Sequence, residues 1–180
     1  IGAALLMTTA RALLRARMAQ PGDLAQIVSD VNRLLCADTE RRTDFMTLFV
    51  MTLDLESGAI EWVRAGHDPA ILYDPVSDRF EVLRGPGLAL GVDESVVYLA
   101  GVHPGLHQGQ VLVLGTDGIW ETENASGELY GKERLENLIR QYHECPAQHI
   151  GDVVTAALAE FRGPAPQQDD ITLVVVKKTG

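Results

Sequence analysis

The spacing of apolar residues changes twice along this chain, and the elements follow from it. Ala3–Ala19 is rich in Ala, Leu, Arg and Met without a β-branched run, a helix composition. Pro21-Gly22 stops it. Asp23 can cap a second helix, with Gln26 three residues on as a capping-box partner. Leu24, Ile27, Val28, Val31, Leu34 and Leu35 then form one apolar stripe, continued by Cys36, which reads as a small buried hydrophobe. After the charged loop Thr39–Asp44 the helical period ends. Phe45–Leu55 reads as a long strand, Glu56-Ser57-Gly58 as a turn, and Ala59–Ala65 alternates like the second arm of a hairpin. Gly66-His67-Asp68-Pro69 breaks it. Ala70–Tyr73 and Arg79–Arg84 predict another strand pair around Asp74–Asp78, and Ser95–Ala100 a further strand. His103–Gln110 turns into Val111–Leu114, four apolar residues that read as a buried strand. Helical spacing returns in Lys132–Tyr142 and in Ala147–Phe161, separated by Pro146. The Pro/Gln loop Gly163–Gln168 comes next. Ile171–Val176, nearly all β-branched, predicts a central or well-covered strand. Runs of strands between runs of helices indicate an α+β fold with layered packing.

Composition narrows the function classes. One domain is the natural expectation for 180 residues without repeats or a linker. Fifteen Lys+Arg against 25 Asp+Glu give a net charge of −10, which argues against a nucleic-acid surface. A phosphorylated partner stays open, because a bound metal can invert the local field. Two cysteines, Cys36 and Cys145, without a CxxC pair fit a reduced, cytoplasmic protein. No apolar run reaches transmembrane length, and Ile1–Met7 is too short for a signal peptide. The opening Ile-Gly-Ala-Ala-Leu-Leu-Met carries the expectation that the chain is cut from something larger.

The candidate chemistry lies in carboxylates at strand ends. Asp117 comes after the strand Val111–Leu114 and Gly115, with Gly118 beside it to allow a tight turn or positive φ. Asp-Gly between apolar runs is also a hairpin signal, so a plain turn and a functional carboxylate both stand. Asp169-Asp170 opens the last strand, where the competing reading is a pair of solvated charges guarding an aggregation-prone segment. If the two strands are antiparallel neighbours, their carboxylates meet at one sheet edge. Such a cluster calls for a cation, and oxygen ligands suit Mg²⁺ or Mn²⁺. His143, Cys145 and His149 hint at zinc but lack a second ligand pair. His67 reads more readily as a hydrogen-bonded structural histidine. Nucleophile-elbow, P-loop and Rossmann patterns are missing from the sequence.

Taken in order, these segments resemble a known family. Gly115-Thr116-Asp117-Gly118-Ile119-Trp120-Glu121, then Gly127-Glu128-Leu129-Tyr130-Gly131-Lys132-Glu133-Arg134-Leu135, then Asp169-Asp170-Ile171-Thr172-Leu173 are similar to the SpoIIE/RsbU-type bacterial branch of the PPM (phosphatase 2C-like) metal-dependent serine/threonine phosphatases. Phe45–Leu55, Ala65-Gly66-His67-Asp68-Pro69 and Leu88-Ala89-Leu90-Gly91-Val92 fit the same branch. The resemblance implies an α-β-β-α sandwich of two antiparallel sheets flanked by helices. It implies that Asp117 and Asp169 are metal ligands, with Asp170 and Gly118 in supporting positions. It further implies two Mn²⁺ or Mg²⁺ ions, about 3.5–4 Å apart in typical sites, that activate a water for in-line attack on phosphorus. The implied substrate is a phosphoserine or phosphothreonine on a STAS-type regulatory protein. An upstream sensor domain is expected to act through the two N-terminal helices. This chain departs from the family pattern at its start. Ile1–Met7 resembles the stretch just after the family's Gly-Asp-Val-Ser-Gly-His-Gly-like motif, whose aspartate bridges both metals. The expectation is therefore an N-terminally truncated phosphatase domain over residues 1–180, with weak or no catalysis by itself. The alternative is a non-catalytic phosphatase-fold interaction module in bacterial signalling.

Overall fold

The computed structural model describes residues 2–38 and 45–179. The charged loop read at Thr39–Asp44 lies outside the described residues. Two antiparallel sheets and four helices are seen among those described, the α+β class expected. They fall into two compact units, Ile1–Pro69 with Arg84–Gly105, and Ala70–Leu83 with Leu106–Gly180. No described helix is long and apolar enough to cross a membrane.

The first unit holds α1 (Gly2–Met18), α2 (Leu24–Asp38), β1 (Leu48–Leu53), β2 (Ile60–Ala65) and β5 (Ala100–His103). Asp23 caps α2 as its sequence foretold, its Oδ1 accepting the Gln26 amide at 2.7 Å. The stripe of α2 buries Leu24, Ile27, Val28, Val31 and Leu35. Leu34 is 44% exposed, which corrects its place in the stripe: it sits one step around the helix from Leu35. The stripe also holds a fully buried Asn32. Its side chain accepts the Gly91 amide at 2.9 Å and donates to the Asp93 carbonyl at 2.8 Å, fastening the 91–93 turn to α2. Asn32→Ala orphans both backbone groups and is expected to cost about 2 kcal/mol, read as a shift in the urea-unfolding midpoint.

In the sheet of this unit, β1 pairs with β2, and β2 with β5. The long strand read at Phe45–Leu55 is shorter, because Met46 pairs instead with Leu90 across an isolated bridge. The strand read at Ser95–Ala100 is corrected to Ala100–His103. Asp93 Oδ1 turns the chain at Ser95, and the Tyr98 amide is bound by the Ser29 hydroxyl at 3.2 Å rather than by a ladder. Tyr98 is thereby buried, its hydroxyl donating to the Leu88 carbonyl at 2.9 Å, and burial pushes its pKa up to about 12. At Gly101 a Cβ would overlap the Trp62 ring, so only glycine lets the indole cross β5.

The second unit holds β3 (Ala70–Asp74), β4 (Arg79–Leu83), β6 (Val111–Gly115), α3 (Lys132–Tyr142), α4 (Ala147–Arg162) and β7 (Leu173–Lys177). Its sheet runs β4-β3-β6-β7, all antiparallel. Both helices expected from periodicity are present, with ends within a residue or so of those expected. The core joins Tyr73, Val111 and Val113 of the sheet to Leu135 and Ile139 of α3 and Ile150, Val154 and Leu158 of α4. Of the two places expected for the last strand, the central one is not taken: β7 stands at the end of the strand order and Val174 is 46% exposed, while Leu173 and Val175 pack against the core. A β-branched run reports fit to a pleated surface and not a central position.

Candidate functional site

The site is built on the β6–β7 ladder. Its five pairs run from Val111↔Lys177 to Gly115↔Leu173, so the C-terminal end of β6 lies beside the N-terminal end of β7. The two strands are thus the antiparallel neighbours that convergence of their carboxylates requires. The ladder brings the segment carrying Asp117 and the segment carrying Asp169 and Asp170 to one edge of the sheet.

Beyond the last pair, Thr116 continues the ladder. Its amide donates to the Thr172 carbonyl at 3.1 Å, and its hydroxyl accepts the Thr172 amide at 3.0 Å while donating to the Asp170 carbonyl at 3.0 Å. One hydroxyl thus holds two backbone groups of the facing segment. Thr116→Val keeps the shape and loses both bonds. The expected result is a loss of about 1 kcal/mol in stability, with faster hydrogen exchange at the Thr172 amide.

Asp117-Gly118 does not form the hairpin that its dipeptide allows. Neither residue has positive φ, and the chain instead makes a helix-like turn in which the Glu121 amide donates to the Asp117 carbonyl at 2.8 Å. The role of Gly118 is close approach: a Cβ there would lie 2.6 Å from the Asp170 carbonyl oxygen. Ile119 is fully buried in the core and anchors the turn, while the Thr122 hydroxyl donates to the Gly118 carbonyl at 2.6 Å.

Both candidate ligands are exposed, and each uses one oxygen locally. Asp117 Oδ1 accepts the Gly118 amide at 3.0 Å, and Asp169 Oδ1 accepts the Asp170 amide at 2.7 Å. The other oxygen of each carboxylate accepts no hydrogen bond from the described residues. Two preoriented hard-oxygen donors fit Mg²⁺ or Mn²⁺ in kind. They do not make a full coordination set, and no group of three or more His, Cys, Asp or Glu able to hold a metal occurs among the described residues. Asp170 takes part through its carbonyl, which binds Thr116, while its carboxylate is exposed.

The turn-rich stretch after Glu121 folds back as a hydrogen-bonded flap. Asn124 Oδ1 accepts the amides of Ser126 and Glu128, each at 3.0 Å. Glu123 bridges Leu129, and the Tyr130 and Gly131 amides return to the Thr122 and Trp120 carbonyls. Arg134 of α3 clamps the flap through the Leu129 and Tyr130 carbonyls and an ion pair with Glu128, whose carboxyl it holds below the usual range. Between this flap and the 162–169 segment opens a cleft of about 410 Å³, reaching from Gly118 to Asp169.

The remaining sequence candidates of the second unit do not join this edge. His143 Nδ1 contacts the Arg140 carbonyl at 2.8 Å, His149 packs edge-on to Tyr142, and Cys145 is a free thiol whose carbonyl accepts Lys177 Nζ. His67 belongs to the first unit, where Nδ1 contacts the Asp68 carbonyl at 2.8 Å. Sequence reasoning missed Thr116, Glu121, Glu123 and Arg162 as parts of the site region. A threonine next to a candidate ligand was the available signal for the first; the others are set by tertiary folding of the flap.

Known proteins share this outline. The curated relative IcfG of Synechocystis is 24% identical over 132 residues, which span 73% of this chain and 20% of IcfG. The chain therefore covers about a fifth of that relative's length. Among solved structures, the SiaA PP2C domain of Pseudomonas aeruginosa superposes with TM-score 0.84 at 23% identity, over 97% of this chain and 70% of that one. The RsbU and RsbW domains of a Mycobacterium tuberculosis protein give 0.77 at 21% identity, over 97% and 47%. The phosphatase domain of SpoIIE from Bacillus subtilis gives 0.63 at 19%, over 94% and 71%. These likenesses establish a PP2C-like phosphatase fold. The family profile described as Stage II sporulation protein E (SpoIIE) matches residues 1–179, and the chain belongs to that family.

Proposed function

We propose that this chain is the larger part of the catalytic domain of a metal-dependent protein phosphatase that removes phosphate from phosphoserine or phosphothreonine of a regulatory protein, with a STAS-type protein as substrate. The observation that carries the reading is the β6–β7 register, which sets Asp117 and Asp169 at one sheet edge with an unengaged oxygen each. In this reading both carboxylates bind divalent metal, and further oxygen ligands complete the set. When bound, Mn²⁺ or Mg²⁺ would supply charge neutralisation at phosphate and a lowered pKa for water. The chain's own work is positional. Gly118 admits the Asp170 backbone, Thr116 ties the two segments together, and buried Ile119 fixes the turn that presents Asp117. An attached sensor domain, a cytoplasmic location and a regulatory role for α1 and α2 belong to the same reading.

The test uses the natural full-length protein that contains these residues. Hydrolysis of a phosphoserine STAS-type protein is measured with and without Mn²⁺, and after EDTA. Turnover that needs the metal and returns on its readdition is the expected result. A folded protein that binds the phosphoprotein without hydrolysing it, at any metal concentration, would establish the interaction-module alternative instead.

A further inference from the structure

Arg162 is set apart from the other arginines that face acids. Arg17 and Arg33 pair with Asp30, Arg134 with Glu128 and Arg140 with Asp78. Arg162, the last residue of α4, is half-buried, yet the one hydrogen bond of its side chain within the described residues is to the neutral Gln167 Oε1, at 3.3 Å. A cation at a helix C-terminus is favourable by itself. Its setting goes further than that. Arg162, Thr122 and Gln167 line both the cleft that reaches Asp169 and a second cavity of about 430 Å³, whose walls include Leu158, Ile171 and Leu173. The guanidinium stands where a polar cleft beside Asp169 meets a more apolar one. The first cleft is also lined by Glu121 and Glu123.

We infer that this double cleft seats the substrate polypeptide next to its phosphoserine, and that Arg162 determines specificity by pairing with an acidic side chain there. The inference rests on the phosphatase reading for what enters at Asp169. Charge complementarity selects the occupant. In a chain of net charge −10, an acidic side chain finds a cation without a carboxylate partner at Arg162 and repulsion from Glu121 and Glu123. An acid beside Arg162 is therefore attracted, and one beside Glu121 or Glu123 is rejected. The apolar cavity beyond takes a hydrophobic side chain of the same strand. Fork geometry favours a carboxylate over a backbone carbonyl as the partner of an arginine.

The experiment uses the full-length protein with Mn²⁺ and alanine-based phosphoserine peptides that carry a single Glu or a single Lys at successive flanking positions. Wild type is expected to favour Glu over Lys at one position by roughly ten-fold or more in kcat/KM, mainly through KM. Arg162→Glu should invert that ratio, and Arg162→Lys should keep its sign. The ratio is the decisive readout, since a folding or general catalytic defect lowers both peptides alike. An unchanged ratio in Arg162→Glu, or no charge preference in wild type, overturns the inference. Failure of the phosphatase reading shows separately, as wild type that turns over neither these peptides nor p-nitrophenyl phosphate. In that case fluorescence anisotropy of the same labelled peptides, without metal, still decides: inverted binding preference in Arg162→Glu supports the groove, and equal binding rejects it.

Discussion

Asp117→Asn should abolish metal-dependent turnover while leaving the fold intact. Asparagine keeps the side-chain shape and can still accept the Gly118 amide through its carbonyl oxygen. The residue is exposed and makes no ion pair among those described, so little stability rests on its charge. What is lost is the negative charge and the second oxygen, which accepts no hydrogen bond from the described residues. Loss of an outer-shell partner of a metal ligand typically costs 10–100-fold in affinity or activity, and loss of a ligand should exceed roughly 100-fold. Asp169→Asn is expected to match it. Asp170→Asn should cost less, because that residue reaches Thr116 through its main-chain carbonyl. A Mn²⁺ titration of kcat/KM in the full-length protein, beside its circular dichroism spectrum, reads all three. Turnover of Asp117→Asn within about ten-fold of wild type would remove this residue from the metal site.

Gly118→Ala should damage the site by a different route, keeping every carboxylate. The added Cβ meets the Asp170 carbonyl oxygen at 2.6 Å, a backbone atom that cannot swing aside. Either the Asp117 turn or the 169–171 segment must move. Overpacking of this kind costs typically 1–3 kcal/mol. The Ile119 side chain, also set close against Gly115, leaves the turn little freedom to relax inward. Misplacement of reacting groups by about 1 Å can cost 10²-fold in rate, so a similar fall in turnover is expected. Thermal unfolding and turnover should fall together in this variant, whereas in Asp117→Asn they separate. Unchanged stability would mean that the close contact of the two segments is not a fixed feature.

The parts of the fold legible in the sequence were those written in local pattern. Helical periodicity places α3 and α4, and Asp23 marks the start of α2. The carboxylates at the strand ends were legible too, because a buried apolar run followed by Asp is a one-dimensional signal. What could not be read depends on which segments meet. Ser95–Leu99 has strand composition, yet the Ser29 hydroxyl, distant in sequence, takes the Tyr98 amide. Asn32 resembles any polar residue beside an apolar stripe until the 91–93 turn arrives to use both ends of its amide. Gly118 was understood as conformational freedom, and the structure makes it a matter of space. Arg162 carries no motif at all; its setting is made by the flap and by the loop after α4.

The five residue pairs between β6 and β7 act as a gauge of correct folding. A slip by one residue would carry Asp169 about 3.4 Å along the strand and turn every β7 side chain to the opposite face. Thr116 would then meet the wrong carbonyl and Gly118 a side chain in place of a backbone atom. Such a molecule could keep its helices and much of its sheet, and pass a spectroscopic test of secondary structure, with no paired carboxylates to offer. Activity per folded molecule would therefore count the fraction of chains that have zipped in register, a quantity that refolding yield by itself does not show.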